Sequence, residues 1–138
     1  MAGNFVPMAE AKFPVLDWGM LRSDATYDVA QVWHGRFFRL DTHIARFQAD
    51  INKLRLALPF DHDQLGAILA KYVRRAELDT AYVEMILTRG VCLTFSRNPR
   101  DAVNTFIAFA IPRIQPEPVH PTIKNYHWCD LTVGLHET

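Results

Sequence analysis

"TYDVAQVWHGRFFRL", residues 26–40, decides the fold. In its first half Tyr27, Val29, Gln31 and Trp33 alternate with Asp28, Ala30 and Val32. A period of two, rich in aromatic and β-branched residues, predicts a strand over 26–33. His34 and Gly35 supply a tight turn, and "RFFRL" continues as the returning partner of a hairpin. Asp41 or Thr42 then reads as an N-cap. Ile44, Phe47, Ile51 and Leu54 follow at helical spacing with polar residues between, so a helix is expected over 42–55.

Downstream the same logic repeats. After Pro59, Asp61 or Asp63 caps a second helix over roughly 61–76, whose apolar face is Leu65, Ile68, Leu69 and Tyr72. "TAYVEMILTRG" (80–90) alternates again and ends at a glycine, which predicts a strand. "VNTFIAFAIP" (103–112) is a near-continuous β-type run stopped by Pro112, expected to be a central strand. Residues 91–102 join the two as a loop with an arginine-bearing tip. A hairpin, two helices and a second pair of strands predict an α+β domain over 1–112 with a mainly antiparallel sheet. Four prolines between Pro112 and Pro121 mark 113–121 as an extended linker. Residues 122–138 place Trp128, Leu131 and Leu135 on one stripe, an amphipathic segment with no further chain to pack on, as in a truncated second domain.

Composition narrows the function. The chain has 138 residues, 49% of them apolar and 22% charged, which suits one soluble domain with a real core. Lys plus Arg and Asp plus Glu balance at 15 each, so no net field draws it to nucleic acid or an anionic membrane. No apolar run has the length of a membrane span, and the N-terminus lacks the layout of a signal peptide. Cys92 and Cys129 form no disulfide framework, which points to a reducing cytoplasm.

Several residues carry candidate chemistry, each beside a plainer reading. Lys124 sits among Ile123, Tyr126 and Trp128; desolvation there would free its amine to attack a carbonyl, whereas a surface lysine would merely cover Trp128 with its stem. Arg46, in the first turns of helix 42–55, could clamp a phosphate near the positive helix end, or be an ordinary exposed arginine. Tyr27 could point a phenol into a cleft or belong to the core. His120, His127, Cys129 and His136 match no zinc spacing, so no metal is expected.

Taken in order, these residues resemble a known family. "SDATYDV" (23–29), the helix entry "FRLDTHIARF" (38–47) and "PTIKN" (121–125) are similar to the small N-terminal domain and lysine segment of the fold-type IV pyridoxal-phosphate enzymes, the class IV aminotransferases. The nearest likeness is to (R)-selective amine transaminases, with branched-chain and D-amino acid aminotransferases alongside. The resemblance implies that Lys124 is the Schiff-base lysine for pyridoxal 5'-phosphate, that Arg46 grips the cofactor phosphate and that Tyr27 lines the substrate pocket. Loop 91–98 corresponds to one that can bring an arginine to a substrate carboxylate; here Phe95 occupies that place, with Arg97 nearby. The substrates implied are a primary amine or amino acid and a keto acid or ketone, with a possible homodimer. Relatives have a strand and linker where only "RIQPEPV" stands, and a large domain after the lysine. An incomplete member is therefore expected. The alternative is an inactive remnant acting as a binding or oligomerisation module, with Trp18, Trp33 and Trp128 in an exposed apolar patch.

Overall fold

The computed structural model describes residues 5–94 and 96–113. In chain order they form α1 (Trp18–Arg22), β1 (Ala25–Trp33), β2 (Arg36–Phe37), α2 (Leu40–Lys53), α3 (His62–Ala76), β3 (Ala81–Cys92) and β4 (Ala102–Pro112), with single 3-10 turns at Met8–Glu10 and Pro99–Asp101. The sheet runs β2-β1-β3-β4 and every pairing is antiparallel. The α+β layer expected from the sequence is thus present. None of the described helices is long and apolar enough to cross a membrane.

Alternation along each strand divides the sheet into two faces. Ala30 and Val32 of β1, Ala81, Val83, Met85 and Leu87 of β3, and Ala108 of β4 are buried on one face. Against them pack Ile44, Phe47 and Ile51 of α2 and Leu65, Leu69 and Val73 of α3, which completes a single core. Each large apolar side chain fully withdrawn from water there contributes about 1.5–3 kcal/mol, and this burial holds two otherwise marginal helices on the sheet.

Local chemistry sets the boundaries, and some differ from expectation. At the hairpin tip His34 and Gly35 both have positive φ, the backbone that a two-residue turn between twisted strands requires. The Phe38 amide then donates to the Gln31 carbonyl, and Arg39 turns the chain through the left-handed region straight into α2. The helix consequently starts at Leu40. Asp41 and Thr42 lie inside it, and its N-cap Arg39 makes no side-chain cap. Helix α3 begins as expected: Asp61 accepts from the Gln64 amide while the Gln64 side chain accepts from the Asp61 amide. Strand β4, expected to be central, lies at the sheet edge among the described residues. Its apolar run reflects helices on one face and a half-buried second face. Trp18 also departs from expectation, being the buried residue of α1 itself, whereas Trp33 is exposed and Trp128 lies outside the described residues.

Strand β3 continues past Gly90 to Cys92 because a bulge absorbs the mismatch: its register with β4 shifts between Thr88 and Val91. At the bulge Arg89 forks onto both carboxylate oxygens of Asp24 at 3.0 and 3.1 Å and donates to the carbonyls of Leu54 and Arg55 at the end of α2. One guanidinium therefore ties the entry to β1 to the exit from α2. Gly90 has φ +78, and a Cβ there would overlap the Val103 carbonyl oxygen. Gly90→Ala is expected to lower the unfolding free energy by about 3 kcal/mol or more; urea denaturation followed by far-UV circular dichroism measures it.

Candidate functional site

The pattern that buries Ile44 and Phe47 of α2 turns His43 and Arg46, three residues apart, toward β1. They meet Asp28, whose inward position on the strand leaves it only 4% exposed. Arg46 Nε donates to Asp28 Oδ2 at 2.6 Å and Arg46 Nη2 to Asp28 Oδ1 at 2.8 Å, a bidentate fork. Asp28 Oδ1 also lies 2.9 Å from His43 Nδ1 and accepts from the Val29 amide at 2.7 Å. Burial alone would resist ionisation of Asp28. The hydrogen bonds from Arg46, His43 and Val29, with the Arg46 charge, outweigh it and hold the carboxyl below the usual carboxylate range. An ionised carboxylate only accepts, so His43 carries its proton on Nδ1; the 3.3 Å approach of Arg46 Nη2 to that nitrogen then sets two donors side by side.

Arg46 stands in the second turn of α2, within the first turns as expected but two residues deeper, because α2 starts at Leu40. Side chains lean toward the N-terminus of their helix, so the guanidinium still lies over the first turn beside His43. Of its five N–H bonds two are used on Asp28, which leaves three, on a side chain 63% exposed. That donor set fits a phosphate approaching from solvent.

Tyr27, adjacent to Asp28, points to the other sheet face and is 66% exposed. Cross-strand register surrounds it there with Ile86 and Ile107, and the next rows hold Val29, Glu84 and Phe109, then Gln31, Tyr82 and Ile111. Burial pushes the Glu84 carboxyl up, and burial with the nearby Glu84 and Tyr27 pushes the Tyr82 phenol up. The result is an apolar floor carrying two phenols and one carboxyl whose acidity burial weakens. Sequence reasoning misses Tyr82 and Glu84 as site candidates, although the alternation that places Tyr27 also runs through them. Helix α1 closes the end of this face: Thr88 Oγ1 donates to the buried Asp17 carboxylate at 2.8 Å, and that carboxylate also accepts from the Gly19 amide.

Arg97 is exposed in the turn after β3, toward the end of the sheet where Ala25 pairs with Thr88. Lys124 and Phe95 lie outside the described residues. Tyr27 and Arg46 are thus neighbours through β1 but belong to opposite faces of the sheet. A separate cleft of about 160 Å³ is lined by Leu16, Trp18, Leu21, Arg22, Cys92 and Ser96, none of them an expected site residue.

The depressed Asp28 carboxyl makes stability depend on pH. Its contribution is present above the ordinary carboxylate range and is lost as pH falls through the folded value. The stability advantage of the wild type over Asp28→Asn should therefore be full at about pH 6 and shrink steadily toward about pH 2, as read from urea midpoints across that range.

Among known proteins, the sequence pattern described as amino-transferase class IV matches residues 25–132. The D-alanine aminotransferase of Listeria monocytogenes serotype 4b is 32% identical over 100 residues, covering 72% of this chain and 33% of its own length. Among solved structures, the branched-chain amino acid aminotransferase of Escherichia coli superposes with a TM-score of 0.73 at 18% identity, covering 80% of this chain and 38% of that one. That of the archaeon Thermoproteus uzoniensis, solved with norvaline, gives 0.71 at 22% identity, over 80% and 38%. At such identities these structures establish the fold. The chain spans between a third and two fifths of the length of these relatives. With a pattern match over most of its residues, the chain belongs to the class IV aminotransferase family.

Proposed function

We propose that the chain is the small domain, with the lysine segment attached, of a pyridoxal-phosphate-dependent aminotransferase that moves an amino group between a primary amine or amino acid and a keto acid or ketone. The observation that carries this reading is Arg46: a guanidinium clasped on one edge by Asp28, with three N–H bonds left toward solvent, in a chain of this family. Arg46 would hold the cofactor phosphate and Lys124 the cofactor aldehyde. When bound, the cofactor supplies an electron sink for the reacting carbon. The Lys124 amine is suited to carry protons to and from that carbon. Tyr27 would line the substrate pocket, Phe95 would give it an apolar wall, and Arg97 would approach a substrate carboxylate.

The placement of Tyr27 and Arg46 on opposite sheet faces supports an assembly in which each face serves a different active site, as in a homodimer. Residues 113–121 then act as a linker, and 122–138 as the start of a cofactor-binding large domain. Cys92 as a buried free thiol accords with a cytoplasmic setting. A second reading, a binding or oligomerisation module without catalysis, draws on exposed Tyr27, Trp33 and Phe38; a compact monomer in sedimentation and scattering would remove it.

Incubation with pyridoxal phosphate, borohydride reduction and peptide mapping tests the catalytic reading. Label concentrated on Lys124 is the expected result. Equal label on Lys12, Lys53, Lys71 and the N-terminus would overturn it.

A further inference from the structure

We propose that Asp28 is a positioning residue that pre-sets Arg46 for anion capture, an inference that rests on the assignment of Arg46 to the cofactor phosphate. An exposed arginine on its own samples many rotamers, and an anion that binds it must first freeze them. Arg46 is 63% exposed, yet its Nε–Nη2 edge is pinned at 2.6 and 2.8 Å to a carboxylate that is itself buried. The anchor is held in turn. The Val29 amide and His43 Nδ1 both bond Asp28 Oδ1, so the carboxylate cannot swing with the guanidinium. The plane of the guanidinium is thereby fixed by the strand, and its free edge faces one direction before any ligand arrives. Asp50, one turn further along α2, adds only a charge attraction to Arg46.

Charge and geometry make opposite forecasts. Asp28 carries a negative charge close to where the phosphate would sit. If charge alone mattered, Asp28→Asn would tighten phosphate binding, and Asp28→Glu would leave it unchanged. If Asp28 acts by orientation, both substitutions weaken it: the amide presents an N–H where Arg46 also donates, and the extra methylene of Glu shifts the fork.

The experiment is equilibrium dialysis of the full chain against pyridoxal phosphate and, separately, pyridoxal. Both probes carry the aldehyde and only one the phosphate, so the ratio of their affinities isolates phosphate capture. The expected result is that the wild type prefers pyridoxal phosphate, Arg46→Ala abolishes the preference, and Asp28→Asn and Asp28→Glu each reduce it about five- to tenfold. A wild type without preference would defeat the phosphate role of Arg46 and this inference with it. A preference lost in Arg46→Ala but intact or increased in both Asp28 variants would overturn the positioning role alone. A measurement on the wild type is independent of how the variants fold: the Arg46 Nε–H resonance should be resolved and exchange-protected before ligand is added. An Nε–H averaged with those of the other exposed arginines would also overturn the proposal.

Discussion

A carboxylate taken out of water must be met by donors, and the arrangement around Asp28 follows from that demand. β-strand alternation places Asp28 on the core face, next to Ala30 and Val32, where a charge would ordinarily be excluded. His43 and Arg46 reach it from α2 and the Val29 amide from its own strand, so every contact that relieves the buried charge also joins helix to sheet or stiffens the strand. Much of the Arg46 side chain stays in solvent, so the pair is neither a fully buried ion pair nor a loose surface one. Its contribution lies in geometry at least as much as in stability.

The second buried carboxylate follows the same rule on the opposite face of the sheet. Asp17 caps α1 through the Gly19 amide and accepts from the Thr88 hydroxyl, which fastens α1 over one end of the open face. Gly19 is required there, since a Cβ would press against the Thr88 side chain. Among the described residues, these contacts with the Arg89 fork and the Gly90 bulge leave a sheet with one face sealed by α2 and α3 and the other open along Tyr27, Val29, Glu84 and Ile107.

The misplaced readings share a cause. Strand β4 reads as central because its apolar run is nearly unbroken; among the described residues it lies at the sheet edge, where helices on one face and a half-buried second face produce the same run. Local pattern places the start of α2 two residues late because Asp41 and Thr42 are good caps, while the hairpin exit through Arg39 has already started the helix. In both cases contacts beyond the local window decide what the local pattern leaves open.

Sequence by itself determined the strands, the two long helices, the aspartate cap of α3, the hairpin turn and the family, because period, turn residues and motif spacing are local or linear properties, whereas the short α1 carries no such pattern. It singled out Arg46 and Tyr27 as well, through their motifs. Only the tertiary structure decided that these two side chains lie on opposite faces of the sheet, that Asp28 is the anchor of Arg46, and that Tyr82 and Glu84 share the Tyr27 face. Face, depth and partner are set when strands pair and helices dock, and at that moment an ordinary aspartate in a strand becomes a buried charge seeking donors.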